Sequence, residues 1–216
     1  MKKLWLLFFI IPLSLSLSAQ EIGKGDRKSN EILERLTQKT EAYQTIRAEF
    51  AYKMENVEAG VNEQTEGVLL VKGNKYRLDI AGQTVISDGI TLWTYIADAN
   101  EVQINSADES EESISPNKLL SSYTKDYRSK FIAEDFLYGT AVNIIDLTPE
   151  TGKSFYKVRL IIDKAKDQLK DVTIFEKNGS TFSYVIKKFE TNVDADDRMF
   201  TFNKSDFPGV EIIDMR

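Results

Sequence analysis

Apolar and polar residues alternate with a period of two along most of this chain. Ile46, Ala48, Phe50, Tyr52 and Met54 alternate with Arg47, Glu49, Lys53 and Glu55, the pattern of a strand buried on one face. Tyr76, Leu78 and Ile80 alternate with Lys75, Arg77 and Asp79 in the same way. Between these two strands, Val68 to Val71 is apolar on both faces, and Gly73-Asn74 predicts a tight hairpin turn with positive φ. Ser87-Asp88-Gly89 predicts a second hairpin turn and Asn178-Gly179 a third. Further strands are expected at about 131–137, 140–146, 154–163, 169–177, 181–190 and 199–202, with residues 209–213 as a tail. The stretch from Ile90 to Ile96 departs from the rule. Ile90, Leu92 and Ile96 fall on one face, Trp93 and Tyr95 on the other. A strand in a half-solvated sheet alternates apolar with polar, so both faces of this one need a cover.

The period changes in two places. Ile32, Leu33, Leu36, Thr40 and Tyr43 recur at three- and four-residue spacing, which predicts one amphipathic helix at about 30–44 with Ser29 as its N-cap. Midway, an acidic run from Asp108 to Glu112 precedes Ser115-Pro116, an N-cap followed by proline at the first helical position. Leu119, Leu120 and Tyr123 share a face of the short helix expected there, and a second short helix is expected near 126–130. The sum is about eleven strands joined mostly by hairpins, one helix before them and a helical insertion among them. Such an antiparallel sheet is long enough to curl into a barrel or half-barrel. Two interiors fit the pattern: one dry core with every helix packed down, or a sheet wrapped round a pocket with helices as a lid. Twelve Phe, nine Tyr and two Trp suit the walls of a site for greasy ligands.

Composition narrows the function. Lys2 and Lys3, the apolar run from Leu4 to Leu17 and Ser18-Ala19-Gln20 read as a secretory signal peptide cleaved after Ala19, leaving a single domain over 20–216. Without Lys2 and Lys3, the 28 basic residues become 26 against 34 acidic ones, a net charge of −8. That surface repels nucleic acid and anionic headgroups. No cysteine is present, so neither disulfides nor an anchoring lipid on a cysteine after the apolar run holds the protein. No histidine is present either, which removes the usual general base and the commonest zinc ligand. A non-enzymatic role without a cofactor follows as the expectation. Asp163, Asp167, Asp171, Asp194, Asp196 and Asp197 lack the spacing of a calcium loop. Asn178-Gly179-Ser180 fits a glycosylation sequon but reads first as a turn.

Four segments together resemble one family. "SDGITLWTY" (Ser87 to Tyr95), "EGVLLVKGNKYRLD" (Glu66 to Asp79), "FTFNKSDFPGVEIID" (Phe200 to Asp214) and "TIRAEFAYKM" (Thr45 to Met54) are similar, in order and spacing, to the periplasmic lipoprotein carriers of the LolA family. The resemblance implies an open, incomplete antiparallel β-barrel of about eleven strands, with an N-terminal helix and a short helical lid over an apolar cavity. It implies a monomeric periplasmic carrier of a Gram-negative envelope, with no cofactor. Such a carrier shields the acyl chains of lipoproteins between an inner-membrane ABC transporter and an outer-membrane acceptor. On this reading Phe50, Tyr52, Leu70, Tyr76, Leu78, Trp93 and Tyr95 are candidates for the cavity wall, and Leu119, Leu120 and Tyr123 for the lid. One departure stands out. The family places an arginine just after the "V-K" as a lid latch, whereas here Lys72 is followed by Gly73, Asn74 and Lys75. Lys72 or Lys75 is left as a point donor without the guanidinium fork. A lipid-sensing regulatory module of the envelope and a carrier of another hydrophobic product, glycolipid or pigment, are the alternatives.

Overall fold

The structure, a computed structural model, describes residues 26–107, 127–150 and 152–216. The expected signal peptide, the acidic run and the lid candidates Leu119, Leu120 and Tyr123 lie outside them.

One helix, α1 (Arg27–Glu41), precedes twelve strands. These are β1 (Ile46–Asn56), β2 (Val61–Lys72), β3 (Lys75–Ile80), β4 (Gln83–Ser87), β5 (Thr91–Ile96), β6 (Glu101–Ser106), β7 (Tyr127–Leu137), β8 (Thr140–Pro149), β9 (Phe155–Asp163), β10 (Gln168–Glu176), β11 (Thr181–Thr191) and β12 (Glu211–Asp214). They form one sheet in the order β12-β6-β5-β4-β3-β2-β1-β11-β10-β9-β8-β7. Every neighbouring pair is antiparallel except β12 with β6, which is parallel. β12 and β7 are the two ends, so the sheet is open, as expected. Register shifts interrupt β1 against β11 at Glu49/Phe50, β7 against β8 at Phe131/Ala133, and β9 against β10 at two points. Such bulges bend a strand and strengthen its twist.

Four sequence expectations are corrected. The helix starts three residues early because Asp26, not Ser29, is the N-cap: its carboxylate accepts from the Ser29 backbone N–H at 2.8 Å. The second oxygen of Asp26 accepts from the Phe131 N–H of β7, and the Asp26 N–H donates to the Ser129 carbonyl at 3.2 Å. One residue thus caps the helix and pairs with the exposed edge of the sheet, a combination Ser29 could not supply. Burial alone would raise the Asp26 pKa, but these backbone donors outweigh it and hold it below the usual value. Second, residues 127–130 are strand rather than helix: Tyr127, Ser129 and Phe131 pair across β8 with Pro149, Leu147 and Ile145. Third, Ile90 lies in the turn before β5 and is 78% exposed. Fourth, the expected strand at 199–202 is a 3-10 turn, Asp197–Phe200, started by the Asp196 carboxylate accepting from the Arg198 N–H. Its Phe200 is fully buried. In the β2–β3 turn, Gly73 alone has positive φ, the mark of a type II′ hairpin.

The register sorts every strand residue onto one of two faces. The inner face carries α1. Ile32, Leu33 and Leu36 of the helix join Ile145, Leu147, Val158, Leu160, Ile162, Leu169 and Val172 in the main core, and α1 packs on β7 and β10. Ser29, on the buried side of the first turn of α1, shares a hydrogen bond with Ser129 at 2.7 Å. The outer face is crossed by residues 192–210, which carry the chain from β11 to β12. Thr45 donates to the Val193 carbonyl at 2.6 Å, Leu70 packs with Ala195 and Phe200, and Asn100 donates to the Pro208 carbonyl. Both faces of β5 are therefore used: Leu92 joins the inner core, while the Tyr95 ring lies 4.4 Å from that of Phe207 on the outer strap.

Candidate functional site

The inner face is not covered evenly. Its β8–β10 side is sealed beneath α1, whereas Leu69 of β2, Leu78 of β3, Val85 of β4 and Leu92 of β5 form a row that is only half-buried. Leu69, Leu78 and Val85 lie on one register line, since Leu69 pairs with Leu78 and Leu78 with Val85, and Leu92, opposite Ser87, is the next inward residue beside that line.

Aromatic side chains from β1 and β11 continue it. Phe50 pairs with Ile186, Tyr52 with Tyr184 and Met54 with Phe182, so alternate residues of two long strands present one surface. The ring centroids of Phe50 and Tyr184 lie 5.7 Å apart, those of Tyr52 and Tyr184 5.3 Å, and those of Tyr52 and Phe182 6.4 Å. Phe50 lies over Gly67 of β2: a Cβ there would stand 2.4 Å from the end of its ring. A glycine at this position is what lets the ring lie flat on the sheet. Burial raises the Tyr184 pKa to about 12, with Tyr52 and Glu176 adding to the shift. Tyr52 is raised as well, first by burial and then by Glu63 and Glu176. Two carboxylates therefore stand close to the phenols at this end of the face. Tyr76, nearly fully buried on β3, is pushed up to about 12 by burial alone.

Of the seven expected wall residues, Phe50, Tyr52, Tyr76 and Leu78 share the inner face. Leu70, Trp93 and Tyr95 stand on the outer face, where the 192–210 strap covers Leu70 and Tyr95. Lys72 and Lys75 are outer-face residues too. Lys72 Nζ donates to the Ala195 carbonyl at 2.9 Å and to Asp197 at 2.7 Å, and Lys75 reaches the other Asp197 oxygen at 3.1 Å. They pin the strap. Sequence reasoning overlooked Phe182, Tyr184 and Ile186 of β11 and Gly67 of β2. The alternation in "TFSYVI" carries the signal, but only the long-range β1–β11 pairing places it beside Phe50 and Tyr52. Five of the six aspartates weighed for calcium have protein partners: Asp163 accepts from two backbone N–H groups of its own turn, Asp167 from Arg35, Asp171 from Tyr138, Asp196 from Arg198, and Asp197 from Lys72 and Lys75. Among the described residues no group of three or more metal-ligating side chains occurs, and no helix is long and apolar enough to cross a membrane.

A half-covered apolar sheet face with aromatic rows can hold a flexible hydrocarbon by contact alone, with no covalent chemistry. Comparison with known proteins agrees with a binding fold. The family model described as outer membrane lipoprotein carrier protein LolA matches residues 41–203. An uncharacterized conserved protein from Thermus thermophilus superposes with a TM-score of 0.61 at 11% identity, covering 87% of this chain and 99% of that one. Lipoprotein LppX of Mycobacterium tuberculosis superposes with a TM-score of 0.52 at 12% identity, over 80% of this chain and 99% of that one. A DUF1329 family protein from Desulfovibrio piger gives 0.50 at 14% identity, over 83% and 98%. At these identities the likeness is one of fold. No curated protein matches the chain.

Proposed function

This chain belongs to the LolA family of outer membrane lipoprotein carrier proteins, and from that premise we propose that it is a carrier, not an enzyme. Its ligand is the acyl portion of a lipoprotein, held on the inner face between the β1–β11 aromatic rows and the Leu69–Leu78–Val85–Leu92 row. It works in the periplasm, taking cargo from an inner-membrane ABC transporter and yielding it to an outer-membrane acceptor. The supporting observation is the half-buried row itself: apolar side chains on the helix-bearing face of a sheet whose other half is sealed. An acyl chain of about fifteen methylenes costs roughly 12 kcal/mol to keep in water, at about 0.8 kcal/mol per methylene. A soluble protein must hide it to move it across an aqueous space.

A second reading, a carrier of a different hydrophobic product such as a glycolipid or pigment, is favoured by Lys72 and Lys75. They stand where the family keeps its lid latch but are engaged with Asp197. One experiment separates the two. Protein purified after incubation with membrane extract is analysed by mass spectrometry for co-purified molecules. Acylated protein supports the first reading. Free lipid or pigment alone overturns it in favour of the second, and an empty protein overturns both.

A further inference from the structure

Charge is distributed unequally between the two faces. Where a strand residue has a register partner, no lysine or arginine falls on the inner face. Arg47, Lys53, Lys75, Arg77, Arg159 and Lys188, among others, all fall on the outer one. The inner face carries five glutamates instead. Glu134 of β7 is neutralised by Lys164 and by Lys28, which also lies 3.7 Å over the Phe131 ring. The other four stand toward the opposite end of the face. Glu63 pairs with Met54, Glu176 with Phe155, Glu101 with Ile96, and Glu211 lies beside Glu101 in the parallel β6–β12 pair. None of these four has an ion pair among the described residues. Glu101 accepts from Gln103 at 2.8 Å, and Glu176 from Asn178 at 2.9 Å. α1 is docked toward the Glu134 end, so the glutamate end is where the aromatic rows run out to water.

An apolar row with unpaired carboxylates at its open end selects the polar group that stays outside. An anionic head there meets only repulsion, and a cationic one finds partners the protein does not supply. We propose that the cargo is an acylated peptide with ammonium groups next to its acyl chain. Glu63 and Glu176, beside the β1–β11 aromatic rows, receive the ammonium groups, Glu101 and Glu211 add longer-range attraction from the β6–β12 edge, and Tyr52, Phe182 and Tyr184 receive the start of the tail. This deepens the carrier reading and rests on it.

The test uses three palmitoylated peptides with the same tail followed by two lysines, two serines or two glutamates. Each displaces a fluorescent fatty-acid probe from the purified protein at low salt. The lysine peptide is expected to displace at a concentration about tenfold or more below the glutamate peptide, with the serine peptide between them. The gap narrows as salt is raised. It closes in the quadruple variant E63Q/E101Q/E176Q/E211Q and persists in a control, E34Q/E41Q/D135N/D206N, which removes four carboxylates elsewhere. Thermal melting checks both variants, and Glu63→Gln alone gives a partial effect should the quadruple variant fold poorly. Equal displacement by the lysine and glutamate peptides overturns the inference, as does a gap that survives the quadruple variant. An alkylamine of equal length that binds as tightly as the lysine peptide overturns the peptide source. Probe and peptides that fail to bind at all overturn the carrier reading itself.

Discussion

Leu160 of β9 and Leu78 of β3 are the same residue type on the same face of the same sheet, in different surroundings. Leu160 is fully buried beneath α1, while Leu78 is half-buried in a row that no described helix covers. The difference comes from where α1 is tied. Asp26 fixes its start to β7, and Arg35 and Lys39 reach Asp167 and the Lys166 carbonyl in the β9–β10 turn. The helix therefore lies over one half of the face. Leu160 serves stability, and Leu78 is available to a ligand. Apolar burial on its own does not distinguish the two roles; the position of the cover does.

The largest test of that contrast is truncation in the sealed half. Leu160→Ala or Leu33→Ala should cost about 2–5 kcal/mol in chemical denaturation, because each opens a cavity in a packed core. The affinity of the folded fraction for an acyl probe should not change. Leu78→Ala should do the reverse, costing about 1 kcal/mol but weakening the probe several-fold. Equal stability losses at the two sites would mean that the open row is as tightly packed as the sealed one.

Much of this was legible in the chain, and the misses have physical causes. The one-sided alternation of β1 and β3 placed Phe50, Tyr52, Tyr76 and Leu78 on one face because parity survives tertiary folding. Leu70 sits in a run apolar on both sides, so parity carries no preference there. The strap over the outer face explains that run, and its Phe200 lies in "MFTF", whose alternation mimics a strand. Asp26 and Ser29 are equally good caps by residue type. Only the Phe131 N–H, about a hundred residues away in the chain, decides between them. The β11 half of the aromatic surface stayed hidden because its pairing with β1 is non-local and broken by a bulge.

The smallest expected effect comes from alkali. Tyr184 and Tyr76 both ionise near 12 in the folded protein, above the ordinary value of about 10. A raised pKa means that their contribution to stability is complete below pH about 10 and is lost as pH climbs through about 12. Ultraviolet titration of the phenols should show both as late. An acyl ligand should delay Tyr184 further, by excluding more water, and leave Tyr76 unmoved. A shift of Tyr76 with none of Tyr184 would place the ligand in the wrong half.

Asp26 anchors the start of α1, its carboxylate and its N–H gripping both the helix and the β7 backbone. The far end is anchored as well: Leu36 is in the core, the Tyr43 ring meets that of Phe189, and the Gln44 N–H donates to Asn192. A helix clamped at both ends acts as a fixed wall, so any widening of the interior has to come from the half of the sheet that α1 leaves bare.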